Sequence, residues 1–439
     1  MKTVAVITLG CSKNRVDTEY VISGIKQEGF VITNDIEKAD WIFINTCSFI
    51  EDARIESIDT ILQISENKKE FQTVCVAGCL PSRYGQELKD GFPEVDVFAG
   101  CGNLDKVIEM MRSGHGYAVT RSDSWIPDKF IRRESSLSPY TGFLKISEGC
   151  SRKCAFCAIP SIRGPQKSIS PDIIVSEAES LLSQGVKELV VIAQDTTMYG
   201  TDKGYSLIDL LQRIDNIDGD FWIRLLYLYP SKSVLEIAKT ISTGKHFTPY
   251  LDIPLQHTSN SVLKFMKRGY NFSFVNDLFS KLRSDFPEIF LRTTILTGHP
   301  GESITDFREL KRFLETFKFN HLGVFPYSPE EGTQGYKLSC PSRKSAIARA
   351  RSIMELQKNI SRDLLAGMKG QKIKVLVEDY DEENMIVTGR HSGQAPETDG
   401  LTYLSEGDYL AGSFVNVVVS NTSEYDLIGS LSSNDDINS

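Results

Sequence analysis

The feature that most constrains this chain is a rhythm of short apolar runs separated by helix-length stretches. Val4–Leu9, Trp41–Ile44 and Val74–Ala77 are apolar runs, and helical patterns such as Thr18–Glu28 and Ile50–Asn67 lie between them. Strands alternating with helices predict a parallel, doubly wound α/β sheet. The rhythm resumes at Phe143–Ile146, Glu188–Ile192, Trp222–Tyr229, Tyr250–Ile253, Leu291–Leu296 and Leu322–Phe325. Helical stretches Asp172–Leu182, Leu207–Ile214, Val234–Ile241 and Ile304–Phe317 separate these runs. Six βα units predict an open, partial (βα)6 barrel, short of the eight of a closed one. A long charged helix, Ser342–Leu365, closes the region, and polar Arg121–Pro139 reads as the connection before it.

The last part changes character. Lys372–Glu378, Met385–Gly389, Leu401–Leu404, Phe414–Ser420 and Tyr425–Leu431 read as short strands, which predicts a small five-stranded β-barrel of OB-like type. Ser432–Ser439 is expected to be a frayed tail. The expected domains are therefore 1–120, a linker 121–139, 140–367 and 368–435.

Composition excludes several classes. Of 439 residues 41% are hydrophobic and 24% charged, ordinary values for a soluble globular protein. No apolar stretch reaches the roughly 18 residues of a membrane span. Met1–Cys11 is too short for a signal peptide and reads as a first strand. A cytoplasmic location is expected, with no membrane partner. The formal net charge is −9, and it is unevenly placed. Lys369–Ser439 carries 4 basic and 13 acidic residues, so the whole imbalance lies there. Such a surface attracts basic partners and repels nucleic acid.

Nine cysteines, an odd number in a long chain, argue against a disulfide framework and for metal binding or catalysis. Cys150, Cys154 and Cys157 have the spacing C-x3-C-x2-C, in the loop after the first strand of the barrel region. Three thiolates on one short loop suit three irons of a 4Fe–4S cluster and leave the fourth iron open. A structural zinc site is the competing reading, but it wants a fourth ligand that the neighbouring sequence lacks. Cys11, Cys47 and Cys79 each sit just past a predicted parallel strand. That carboxyl edge is where open α/β sheets bind ligands, so the three thiols can converge on a second cluster. Taken singly, each is more often a small buried hydrophobe. Cys75 is read as core, Cys101 as a rival third ligand, and Cys340 as inert.

The Cys150–Cys157 motif resembles the radical S-adenosylmethionine (SAM) superfamily, whose fold is also the six-unit barrel. In that superfamily the open iron binds SAM, and one electron from the cluster releases a 5′-deoxyadenosyl radical. Phe156 matches the aromatic position near the adenine. The whole chain resembles the methylthiotransferases, in the order N-terminal three-cysteine domain, radical SAM barrel and C-terminal TRAM domain. The matching stretches are Thr8–Asn14, Asn45–Cys47, Gly78–Leu80 and Ser147–Cys150. The resemblance implies two 4Fe–4S clusters, with Cys11, Cys47 and Cys79 holding the second. It also implies two uses of SAM, one for the methyl group and one for the radical.

Gln194–Thr197, Asp252–His257, Tyr327–Gly332 and Gln394–Gly400 resemble the branch that modifies the β-carbon of an aspartate in small-subunit ribosomal protein twelve. The other branch modifies a tRNA adenosine, and it is the alternative. Ribosomal proteins are basic, so the acidic C-terminal barrel favours the first, and stable RNA binding is not expected. An electron donor such as flavodoxin or ferredoxin is implied. Arg224 is a candidate for the SAM carboxylate, with a structural ion pair as the alternative. Asp195 is a candidate for the ribose or the substrate pocket, with a cap on the next segment as the alternative. The tract Thr297–Glu302 departs from the family at His299, where a bulky apolar residue is usual. His257 and His299 read as hydrogen-bonded structural histidines. Radical chemistry needs no general base, so no catalytic acid or base is assigned.

Overall fold

The structure is a computed structural model that describes residues 2–381, 386–405 and 407–431. The expected strand start at Met385 and the expected tail at Ser432–Ser439 lie outside the described residues.

Six parallel strands form the N-terminal sheet: β1 (Thr3–Thr8), β2 (Val31–Thr33), β3 (Trp41–Thr46), β4 (Thr73–Gly78), β5 (Val97–Gly100) and β6 (Gly116–Ala118), in the order β2-β1-β3-β4-β5-β6. β2, β5 and β6 were not foreseen as strands; two of them have three residues and one has four, too short for a period to register. β3 is buried along its entire length, as a central parallel strand covered on both faces must be.

The central region contains β7 (Thr141–Lys145), a two-residue pair β8 (Ser147–Glu148) and β9 (Lys167–Ser168), then β10 (Glu188–Ile192), β11 (Trp222–Leu225), β12 (Phe247–Asp252), β13 (Phe290–Thr297) and β14 (His321–Pro326). β7 and β10 to β14 form one parallel sheet in the order β14-β13-β12-β11-β10-β7, a half-barrel with helices outside. β11 ends four residues before its predicted end at Tyr229. There Tyr227 takes a left-handed φ of 63° and donates its N–H to Asp252 Oδ2 at 3.0 Å.

The inside of the half-barrel is not left open. Phe143, Val190, Ile192, Leu226 and Tyr250 pack against Val16 and Tyr20 of helix Ser12–Gln27 and against Ala395 of the C-terminal region. The connecting segment 121–139 contributes to this closure. It forms no helix or strand, yet Arg133 is fully buried and bonded to Glu19 of the first helix and Glu177 of helix Pro171–Ser183. A polar composition suggested a loose connection, and the buried charges it carries make it a tie instead.

β15 (Lys372–Asp381), β16 (Ile386–His391), β17 (Thr402–Leu404), β18 (Phe414–Thr422) and β19 (Leu427–Leu431) close into a barrel in the order β15-β16-β17-β19-β18. The loop after β16 docks it onto the half-barrel. Arg390 bonds Glu188, the first residue of β10, and Tyr250 Oη donates to Asp399 at 2.6 Å. Arg224 is caught in this interface. Its Nε bonds Glu188 at 2.6 Å, its Nη1 donates to Ser392 O at 2.9 Å, and it lies over the Tyr250 ring. Among the described residues no helix is long and apolar enough to cross a membrane.

His391 lies in the same interface. It packs on Phe290 and accepts a hydrogen bond from Gly393 N–H at Nδ1. Burial first, then neighbouring His321 and Arg224, lowers its pKa from the ordinary 6.5 to about 3. The unfolded chain therefore takes up a proton that the folded chain refuses, and stability falls as pH drops from 6.5 towards 3. Urea midpoints measured at pH 7 and pH 5 should show that loss, and His391→Gln should lessen it. An identical pH dependence in the variant would contradict this assignment.

Candidate functional site: two thiol triads joined by a buried arginine

The N-terminal sheet builds the first triad through its register. Thr8 pairs with Asn45, Thr46 with Gly78, and Gly78 with Gly100. Cys11, Cys47, Cys79 and also Cys101 therefore emerge at one carboxyl edge. Asn14, on the first turn of helix Ser12–Gln27, sits among them. Its Oδ1 lies 3.9 Å from Cys11 Sγ and 3.7 Å from Cys79 Sγ, and its Nδ2 donates to Leu9 O and Thr46 O, each at 2.9 Å. Gly10 has φ +89°, and a Cβ there would lie 2.5 Å from Cys47 Cβ, so the turn beside Cys47 admits only glycine. Cys47 and Cys79 are buried while Cys11 is exposed, which leaves one side of the triad open.

Burial, with Cys79 and Cys11 alongside, pushes the Cys47 thiol up to about 12. Cys79 is lowered to about 6, chiefly because the Cys101 thiol donates to it at 3.9 Å and then because Arg163 lies beside it. Cys101 thus stands in the row as the sequence rival, but as the partner that keeps its proton. Cys75 is wholly buried in the core of its strand, as expected.

The second triad follows β7. Cys150 Sγ accepts from Arg152 N at 3.4 Å, and Cys154 Sγ accepts from Arg268 Nη1 at 3.4 Å. The loop is pinned by Ala155 N to Met266 O at 2.9 Å and Gly335 N to Ala155 O at 2.7 Å. Burial raises Cys150 to about 11, with Asp195 and Cys154 adding to the shift, and raises Cys157 to about 12, with Cys154 and Cys150 adding.

Arg163 joins the two triads. It ends helix Ile159–Arg163, which starts two residues after Cys157 and spans about 8 Å. Its Nε lies 3.3 Å from Cys79 Sγ, its Nη2 bonds Asn14 Oδ1 at 2.5 Å and Asp17 at 3.1 Å, and its Nη1 lies 2.8 Å from Glu148. Lys145 completes a buried square by bonding both Asp17 and Glu148. Four charges buried this deeply are tolerated only because each faces an opposite one. The two cations hold the Glu148 carboxyl well below the usual carboxylate range despite its burial.

Sequence reasoning gave no role to Asn14, Asp17, Lys145, Glu148, Arg163 or Arg268. Asn14 and Glu148 lay inside matching stretches. Arg163 and Arg268 had no spacing that pointed to a site.

Phe156 lies at the carboxyl edge, its ring edge-on to His299 with centroids 6.1 Å apart. His299 in turn packs on Tyr327 with ring centroids 4.9 Å apart, and His299 Nε2 and Tyr327 Oη are buried with no hydrogen-bond partner. Unpaired buried polar atoms are costly, so a polar partner for these two would be favoured beside Phe156. Burial lowers His299 to about 4, so it is neutral near pH 7. Asp195 caps the turn Thr196–Met198 and also accepts from Arg152 Nε at 2.7 Å, which brings it to the cysteine loop. Arg224 is the correction among the predicted contacts. Its side chain runs back towards the start of β10, away from the cysteine loop, and is spent on Glu188 and Ser392, the ion-pair alternative.

Three family models match the chain: an uncharacterized protein family (UPF0004) over residues 3–100, the Radical SAM superfamily over 144–314 and the TRAM domain over 370–431. Relatives named ribosomal protein uS12 methylthiotransferase RimO span it almost end to end. The one from Aquifex aeolicus is 41% identical, covering 97% of this chain and 96% of its own. That from Thermoanaerobacter sp. is 42% identical, covering 98% and 100%. Among solved structures, the radical SAM methyltransferase TsrM from Kitasatospora setae shares the fold at TM-score 0.60 and 14% identity, over 76% of this chain and 77% of that one.

The buried square is expected to behave as a unit. Arg163→Gln and Asp17→Asn are each expected to destabilise by about 3–5 kcal/mol. In a double-mutant cycle their effects should fall short of the sum by at least ~1 kcal/mol. Additive losses in denaturant unfolding would show that the two groups do not act together.

Proposed function

With relatives of about 40% identity spanning it, the chain belongs to the family of ribosomal protein uS12 methylthiotransferases, and from that premise we propose how its residues serve the reaction. Its substrate is uS12, and the position modified is the β-carbon of an aspartate, where a methylthio group replaces hydrogen. Cys150, Cys154 and Cys157 would hold the 4Fe–4S cluster that works with SAM, and Cys11, Cys47 and Cys79 would hold a second one. When bound, these groups supply one-electron chemistry at a C–H bond together with sulfur and a methyl group. The observation that carries the two-cluster reading is that Arg163 lies 3.3 Å from Cys79 of one set and 2.8 Å from Glu148, two residues before Cys150 of the other.

The donor sets fit such groups. Three thiols per set is the pattern that leaves one iron of a cluster open, with Cys101, 3.9 Å from Cys79, as the additional thiol of the N-terminal edge. Thiols held up near 11 and 12 in the free chain must lose protons on loading, so iron uptake is coupled to proton release.

The protein's own residues then have separable tasks. Phe156 and the unpaired polar atoms beside it cradle SAM, and Asp195 borders the same loop. Arg268 and Arg163 lend positive charge to one thiol of each set. The filled barrel interior keeps solvent away from the underside, so the substrate enters only at the carboxyl edge, where Cys11 is exposed. No side chain is required as acid or base, because a hydrogen atom carries its proton and electron together. The acidic C-terminal barrel steers a basic ribosomal protein and disfavours tRNA, whose phosphates need Lys and Arg. The reducing electron comes from a small acidic carrier such as flavodoxin or ferredoxin.

Mass spectrometry of uS12 and of bulk tRNA from a deletion strain tests the substrate. The uS12 aspartate should lose its methylthio group and regain it on complementation, with tRNA unchanged; loss from tRNA alone would overturn the assignment. Replacing Cys11, Cys47 and Cys79 with Ala should leave about four irons per chain and intact SAM cleavage while abolishing thiolation. Methylthiolated product from that variant would sink the second-cluster role.

A further inference from the structure

One cleft at the carboxyl edge shares Arg268 with the site described above but has an outer, solvent-facing part to which that reaction assigns nothing. It encloses about 590 Å3 and is lined by Arg152, Tyr229, Lys232, Arg268 and Tyr270, with no carboxylate among its lining residues. Two guanidinium groups sandwich Tyr229, Arg152 at 3.8 Å and Arg268 at 4.2 Å from the ring centroid. Tyr229 Oη in turn accepts from Gly269 N–H at 2.9 Å, which fixes the ring. Arg268 reaches from this cleft to Cys154 Sγ at 3.4 Å. Arg268 thus links the cleft to a thiol of the Cys150–Cys157 set.

The local charge opposes that of the whole molecule. The chain carries −9, yet the segments 149–171 and 253–276 contain no Asp or Glu at all. Exposed Lys153 and Lys267 are the chain neighbours of the lining residues Arg152 and Arg268. One cation is balanced, since Arg152 pairs with Asp195 at 2.7 Å, while Lys232 and Lys267 are exposed. Screening limits the reach of surface charge to about 8–10 Å, so an approaching protein responds to this patch and not to the distant net charge.

We propose that this cleft is the docking surface for a small acidic electron carrier, a flavin or iron–sulfur protein, that reduces the Cys150–Cys157 site. The inference rests on the radical SAM reading given above. The carrier's reduced group loses one electron and the group held by Cys150, Cys154 and Cys157 gains it; no atom changes hands. Electron-transfer encounters bury little area and depend on charge for orientation, which a compact cationic cleft provides. A basic ribosomal protein is repelled here and attracted to the acidic barrel, so charge sorts the two partners to different surfaces.

The test uses the anaerobically loaded full-length enzyme with Lys232→Glu/Lys267→Glu, and Lys232→Arg/Lys267→Arg as the charge-preserving control. Flavodoxin is the probe. Its Kd by fluorescence titration should weaken about tenfold in the Glu variant and lose its salt dependence, with the Arg variant unchanged. Flavodoxin-driven SAM cleavage should show the same rise in KM, while dithionite-driven cleavage stays at the wild-type rate. Unchanged flavodoxin affinity would overturn the proposal, as would a shift in the KM for uS12 with dithionite as reductant, which would assign the cleft to the substrate. Absence of dithionite-driven cleavage in the wild-type enzyme would instead contradict the radical SAM reading, and the binding titration would still decide the docking site.

Discussion

Everything at the functional edge depends on one buried guanidinium. Arg163 touches a thiol of the N-terminal set, the amide of Asn14 and two carboxylates, one from each side of the interface. An arginine can do this because its planar fork presents donors in several fixed directions at once and stays charged. Burying it without Asp17 and Glu148 would cost several kcal/mol, and burying those carboxylates without it and Lys145 would cost as much. The charges therefore enforce one relative placement of the N-terminal sheet and the half-barrel. The five-residue helix that carries Arg163 begins beside Cys157, so that placement also sets how far apart the two thiol sets stand.

Closure of the half-barrel is the second constraint. A six-stranded parallel sheet leaves an open side and an unfilled interior, and three separate pieces of the chain fill them. The first helix contributes Val16 and Tyr20, the C-terminal loop contributes Ala395, and Arg133 ties segment 121–139 to both neighbours. With the underside blocked, chemistry is confined to the carboxyl edge. Cations then concentrate at one part of that edge, around Arg268, while the anionic excess lies in the C-terminal section of the chain.

Much of this was legible in the sequence, because its signals are periodic or local. The βα rhythm predicted the half-barrel, and C-x3-C-x2-C placed three thiols on one loop without any fold. The shared offset of Cys11, Cys47 and Cys79 worked because parallel register carries a strand-end offset into space. The same logic applied to Cys101, whose strand was too short to recognise. What stayed hidden was long-range charge pairing. Arg163 and Asp17 are 146 residues apart in sequence, and no spacing rule links them. Arg224 shows the converse error. A strand arginine in a barrel was a fair ligand candidate, but its partner Glu188 sits at the start of the neighbouring strand and turns it away from the edge.

The proposal at the centre is that the two thiol sets, linked through the contacts of Arg163 to Cys79 and to Glu148, each carry an iron–sulfur cluster. Anomalous diffraction at the iron edge, from crystals of anaerobically loaded enzyme, tests it most directly. Two separate iron peaks are expected, one bounded by Cys11, Cys47 and Cys79 and the other by Cys150, Cys154 and Cys157. A single peak, or N-terminal iron bound through Cys101 in place of Cys79, would contradict it.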